Sequence, residues 1–284
     1  MALRGVKPRA IDKRLKALFF GEAGAGKTMA AIQFPRPYLV DTERGAENDE
    51  YTRILEAGGG AYFPTNDFNE MVREVKALIS EKHDYKTLII DPITTVYDDL
   101  IEKAEAKVGS EFGRHYGEAK KQWKRLANLL ARVDLNVIVT SHQKNLYGGE
   151  MKLMGKTFDG PKGLDHVFDL VFEVQRRGKE RVGVVQKTRC SGFPDGDVFP
   201  FSYEEIAQRY GREVLERQAV PVQFATKEQV EELEALLKVR VDAEKLQDKW
   251  LTHAGAESFS DMSTEQVTAC ITHLKGKDAA TAAA

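Results

Sequence analysis

Cysteine is scarce in this chain: Cys190 and Cys270 are all that its 284 residues hold. Two thiols so far apart exclude a disulfide framework or a metal knuckle, and they suit a reducing compartment. Long apolar runs are missing too. None approaches the ~18 residues of a membrane span, so no membrane partner is expected. The opening stretch MALRGVKPRAIDKRLK lacks the apolar centre of a secretory leader, and the expected setting is the cytoplasm. Net charge is nearly absent, at -2. That excludes a global field drawing the chain to nucleic acid, so any such contact needs a local basic patch. The histidines are scattered without metal-ligand spacing.

What is present is a hydrophobic fraction of 42%, enough for a packed core. Apolar runs at 15–20 (LKALFF), 37–41 (PYLVD), 87–91 (TLIID) and 136–140 (NVIVT) are short, with helical patterns between them. Short buried strands alternating with helices predict an α/β fold with a mostly parallel sheet flanked by helices. Phe68, Met71, Val75, Leu78 and Ile79 mark a helix over 67–80; Trp123, Leu126, Leu129, Leu130 and Val133 mark another over 119–133. Residues 167–174 and 181–187 read as strands about a turn containing RRGKE, and Pro194-Asp195-Gly196 as a further turn. The expected layout is a basic arm over 1–14 (Arg4, Lys7, Arg9, Lys13, Arg14), the main domain over 15–215, a linker over 216–225, a small helical domain over 226–276 and a disordered tail over 277–284. Capping boxes at Thr226/Gln229 and Ser263/Gln266, with Met262 stapled onto Val267, start two of its helices. These helices could bind DNA, bind a partner or pack on a core. Their stripe of Val230, Leu233 and Leu237 favours the core.

Gly21-Glu22-Ala23-Gly24-Ala25-Gly26-Lys27-Thr28 follows an apolar strand and precedes a helix-compatible segment, the context a phosphate loop requires. Its glycines let backbone N–H groups wrap an anion, helped by the helix N-terminus. Lys27 is expected on the β- and γ-phosphates of ATP and the Thr28 hydroxyl on Mg²⁺. Asp91 closes TLIID, where a carboxylate reaches the metal through water; the plainer reading is a strand-end cap. Glu43, in Asp41-Thr42-Glu43, ends the second strand at the same sheet edge, placed to orient or deprotonate the attacking water, or simply solvated. Thr140 is followed by Ser141, His142 and Gln143, polar groups placed to sense the γ-phosphate. His142 also reads as a strand-end histidine bonded to backbone.

From Lys144 to about His166 a loop of over twenty residues follows, rich in Gly and Lys. Loops that long are functional or disordered. Lys144, Lys152, Lys156 and Lys162 would give it a face suited to a phosphate backbone, and the alternative is a solvated mobile loop. Tyr147 and Phe158 either stack on bases or pack the loop onto its own domain. Lys187 and Arg189 share one side of a late strand. They could reach a neighbour's ATP as trans-acting fingers or form a solvated pair.

The order GEAGAGKT, DTE, LIID, VTSHQ, basic loop, KTR resembles the RecA-like ATPases over about residues 15–212. The resemblance implies a catalytic Glu43, a DNA-linked Gln143 at the head of the basic loop, and Lys-x-Arg fingers like those of RadA and DnaB-type ATPases. It also implies that Tyr51 stacks on adenine. The layout is most similar to the phage-encoded ATPases of the Sak single-strand-annealing group, which implies a host-cytoplasmic setting. It lacks the N-terminal oligomerisation helix and larger C-terminal domain of RecA, so annealing, or help to a single-strand-binding protein, is expected rather than strand exchange. The implied protein is a DNA-stimulated ATPase that binds single-stranded DNA and forms a homo-oligomeric filament or ring. A ring helicase or helicase loader, a small-molecule kinase, and a scaffold that uses ATP only to hold its oligomer are the competing readings.

Overall fold

The computed structural model describes residues 13–45, 49–149 and 152–282. Arg4, Lys7 and Arg9 of the expected basic arm, and the last two residues of the expected tail, lie outside them. In chain order the elements are β1 (Lys16–Phe20), α1 (Lys27–Ala31), β2 (Pro37–Asp41), α2 (Asp49–Ala57), β3 (Ala61–Pro64), α3 (Phe68–Ser80), β4 (Thr87–Asp91), α4 (Ile93–Val108), α5 (Arg114–Arg132), β5 (Asn136–Ser141), β6 (Gln143–Tyr147), β7 (Leu153–Phe158), β8 (Leu170–Arg177), β9 (Glu180–Thr188), β10 (Val198–Pro200), α6 (Tyr203–Tyr210), α7 (Arg212–Glu216), α8 (Lys227–Lys238), α9 (Ala243–Ala254) and α10 (Thr264–Ala282). They form two compact units interleaved in sequence. One takes the chain up to Asn66 with Asp84–Asp99 and Leu135–Ala219; the other takes Asp67–His83, Leu100–Asp134 and the chain from Val220.

The first unit is built on one sheet of order β10-β9-β8-β1-β5-β4-β2-β3. From β3 to β8 all pairings are parallel, and β9 and β10 continue antiparallel. This is the mostly parallel α/β sheet that the alternation of runs predicts. Strands β1 and β5 are buried along their whole length, which is why they read as unbroken apolar runs. Phe19 meets Phe201 edge-on at 4.9 Å, and Phe34 meets Tyr203 the same way, in a core rich in aromatic rings.

Two expectations change here. The long loop after Gln143 is a β-ribbon: β6 and β7 pair antiparallel from Gln143↔Phe158 to Tyr147↔Leu153. A short 3-10 turn, Leu164–Val167, follows. The ribbon stands apart from the main sheet, so it has no covered apolar face to announce it. Arg14 is not part of a solvated arm. It is 4% exposed, and its guanidinium donates to the carbonyls of Val214 (2.9 Å) and Arg217 (2.6 Å) at the end of α7. A cation there satisfies carbonyls the helix leaves unpaired.

In the second unit, both capping boxes form, with Gln229 N donating to Thr226 Oγ1 and Ser263 N donating to Gln266 Oε1. Leu233, Leu237, Met262, Val267 and Leu274 share one core cluster. Asp261 is nearly fully buried among cations. Its carboxylate takes two bonds from Arg125 at 3.1 Å, one from Ser258 at 2.8 Å, and a contact from Lys76. Burial works to raise its pKa, but the hydrogen bonds of Lys76, Arg125 and Ser258 outweigh it and hold the carboxyl below its ordinary value. A depressed carboxylate stabilises the fold above its unfolded pKa of ~3.9, and this contribution is lost as pH falls through the folded value. Asp261→Ala leaves the half-buried Lys76 and Arg125 without their anion. It is expected to cost about 2–3 kcal/mol, below the ~3–5 kcal/mol of a fully buried pair because solvent screens the cations. Both tryptophans, Trp123 and Trp250, lie in this unit. Urea unfolding followed by tryptophan fluorescence at pH 7 therefore reads the loss, and the gap to the unaltered protein should narrow toward pH 3.

Candidate functional site

The phosphate loop leaves the buried end of β1 at Gly21. This residue has φ 155°, and a Cβ there would lie 2.2 Å from the Val174 carbonyl oxygen, so β8 closes the loop against its base and only glycine fits. Lys27 opens α1 and donates from Nζ to the carbonyls of Gly21 and Glu22, both at 3.0 Å. Burial pulls its amine below the usual range, opposed by the charges of Asp91 and Glu43. Thr28 Oγ1 donates to Asp91 Oδ2 at 2.6 Å, and the Thr140 hydroxyl donates to the other carboxylate oxygen. Burial pushes the Asp91 carboxyl up, against those two bonds and Lys27.

These residues fit a nucleotide with a hard cation. The loop has no room for a side chain at Gly21, a lysine amine bonds to its backbone carbonyls, and a hydroxyl touches a carboxylate that two hydroxyls orient. Among the described residues no group of three or more His, Cys, Asp or Glu side chains could hold a metal by itself. An ion here would depend on Thr28, Asp91 and the phosphates together.

The Asp41-Thr42-Glu43 turn is bolted to the end of β4. Thr42 Oγ1 donates to the carbonyls of Asp91 (3.1 Å) and Pro92 (2.9 Å), and Gly45 N donates to the buried Asp41. Glu43 stays half exposed. Its Oε1 accepts from Thr95 Oγ1 at 3.1 Å and lies 3.2 Å from His142 Nε2. The structure thus joins Glu43 with His142. Ser141 points elsewhere: it is fully buried, donates to Asp159 O at 2.6 Å and accepts from Asp159 N at 3.0 Å, clamping the base of the ribbon beside the Gln143↔Phe158 pair.

The ribbon returns to the phosphate loop. Glu22 Oε1 accepts from Lys156 Nζ at 2.5 Å and from Gln143 Nε2 at 3.5 Å, and the Lys156 bond holds the Glu22 carboxyl below its ordinary pKa. Lys144 pairs with Asp159 at 2.9 Å. Lys152 and Lys162 are exposed, and Tyr147 is 51% exposed. Phe158 instead sets its ring edge-on to Phe20, packing the ribbon onto its own domain. Tyr51, on α2, lies against the aromatic core.

Lys187 and Arg189 fall at the other edge of the sheet. Through Val171 of β8, Lys187 is level with Leu18 of β1. Gly21 lies three residues further on, about 10 Å at ~3.3 Å per residue. Lys187 Nζ donates to the carbonyls of Asp165 and Phe168, and Arg189 Nη1 pairs with Asp169 at 3.1 Å. Burial and neighbouring Arg189 pull the Lys187 amine below the usual range. Neither cation serves the phosphate loop of its own chain.

Thr140, Thr95 and Asp159 carry no sequence signal for these roles. Their parts appear only once the strand ends are side by side. Arg181 opens a run that reads only as a strand, and nothing in that run points to the phosphate loop.

The profile of the AAA domain family matches residues 13–193, well over half of the chain. The chain belongs to the AAA domain family. It is an ATPase with an α/β fold, and it binds nucleotide. A search of curated proteins finds no match. Among solved structures, this AAA domain protein is similar to the RadB recombinase, at 22% identity and a TM-score of 0.42 over 66% of this chain and 87% of that one. It is also similar to an ATPase from the type III secretion system of pathogenic bacteria, at 13% identity and a TM-score of 0.40 over 91% and 79%. No helix among the described residues is long and apolar enough to cross a membrane.

Proposed function

We propose that this ATPase binds single-stranded DNA on the β6–β7 ribbon and cleaves ATP at seams between protomers of a filament or ring, in the service of annealing and recombination. The observation that carries the reading is the meeting of ribbon and phosphate loop at Glu22. Lys156 would serve DNA phosphates, yet it is held by a residue of the loop that holds nucleotide. Filling the loop and freeing Lys156 are then one event, which ties nucleotide state to DNA affinity.

The roles follow from position. Lys27 meets the β- and γ-phosphates, and Thr28 with Asp91 holds Mg²⁺, which when bound neutralises charge growing on those oxygens. Glu43, held by Thr95 and His142, orients the attacking water and takes its proton. Gln143 reports phosphate state to the ribbon, and Ser141 anchors its return strand. Tyr51 stacks on adenine. Lys144, Lys152, Lys156 and Lys162 contact the DNA backbone, with Tyr147 as the base-stacking group. A single-strand-binding protein is the expected helper. Lys187 and Arg189 act on the neighbour's nucleotide.

The test is ATP hydrolysis with and without single-stranded DNA, read beside particle size. Stimulation together with growth into large assemblies is expected. A rate indifferent to DNA would sink the reading.

A further inference from the structure

Arg181 has no place in the scheme above, and its surroundings call for one. It sits near the start of β9, paired across the hairpin with Arg176. Its carbonyl accepts from Phe201 N at 2.8 Å, so its backbone is fixed on both sides. This end of β9 lies at the phosphate-loop edge of the sheet, opposite to Lys187 and Arg189. The side chain reaches over the loop. A Cβ added to Gly26 would lie 3.1 Å from Arg181 Nε and 3.2 Å from its Cδ.

The guanidinium is half-buried, yet among the described residues it has no carboxylate partner. Its one hydrogen bond there is weak, from Nη1 to the neighbouring Glu180 carbonyl at 3.4 Å. Arg209 has Asp197 and Glu205, Arg212 has Glu204 and Glu216, and Arg189 has Asp169. The neighbouring Arg176 and Arg177 are exposed and bond to Gly178 O and Gln175 Oε1, whereas Arg181 lies over the phosphate loop. An arginine offers a fork of donors suited to a phosphate. One held over a phosphate loop with its fork unspent is placed for that partner.

We propose that Arg181 is a nucleotide-binding residue acting in its own chain, with its guanidinium on the α- and β-phosphates of the bound nucleotide. The choice of phosphates follows from the loop. Its backbone N–H groups cradle the α- and β-phosphates while its lysine reaches the β and γ, and Arg181 lies against the backbone at Gly26. This division gives the site two cations with separate work: Lys27 follows the bond that breaks, and Arg181 holds the part that stays. The assignment is independent of what the ribbon binds.

Titration of Arg181→Ala and Arg181→Lys with ADP and with a non-hydrolysable ATP analogue tests it. Arg181→Ala should weaken both nucleotides alike, by about ten- to a hundredfold, the size of a lost hydrogen bond to a charged group. Arg181→Lys should recover part of the loss, and the melting temperature without nucleotide should not move for either variant. Affinities within twofold of the unaltered protein would overturn the proposal, as would a loss confined to the ATP analogue. A drop in melting temperature shared by both variants, with no recovery by lysine, would make Arg181 a brace over Gly26 and overturn it as well.

Discussion

Arg189→Ala will hold ATP with the affinity of the unaltered chain and hydrolyse it about a thousandfold more slowly, the lower end of what an arginine finger contributes. The reason is positional. Arg189 follows β9 at the sheet edge opposite the phosphate loop, paired with Asp169 at 3.1 Å. Lys187 beside it is tied to the carbonyls of Asp165 and Phe168. Removing either leaves the cradle of the same chain untouched, so binding survives. Any loss of turnover must come through another protomer's site. Nucleotide titration and phosphate release, measured on the same sample, separate the two. Equal losses of binding and turnover would return the pair to a structural role.

Glu43→Gln is expected to lower turnover by about 10²–10⁴-fold, the share of a general base, and again to spare ATP affinity. Glutamine keeps the size of the side chain and can still accept from Thr95 Oγ1, now 3.1 Å from Glu43 Oε1. What it loses is the capacity to take a proton. The turn stays in place because Thr42 and Asp41, not Glu43, anchor it. Single-turnover hydrolysis with saturating ATP reads the chemical step alone. Hydrolysis at the unaltered rate would move the base elsewhere.

The phosphate loop was legible because its chemistry demands fixed residue types at fixed spacing, and Gly21 shows why: β8 leaves no room for a side chain. Strands β1, β2, β4 and β5 were legible because a parallel sheet covered on both faces needs unbroken apolar runs. β3 was not, since AYFP is a short edge strand with alternating exposure. The ribbon escaped for a related reason: Leu146, Leu153 and Met154 are exposed, and its lysines and glycines resemble those of a loop. Arg14 and Asp261 show a second limit. Charge counting places such groups at the surface, and only tertiary structure supplies the carbonyls and cations that make burial tolerable. The contact of Glu43 with His142, and the reach of Arg181 to Gly26, join residues far apart in sequence that no spacing rule connects.

Hydrolysis shared across a seam is tested most directly by mixing two inactive variants. Lys27→Ala lacks the cradle's lysine but keeps Arg189; Arg189→Ala lacks the finger but keeps Lys27. In an equal mixture of head-to-tail assemblies about a quarter of the seams bring the two intact halves together, and activity near that fraction of the unaltered rate is expected. A mixture as inactive as its components, under conditions where the unaltered protein assembles and turns over ATP, would contradict a site divided between protomers.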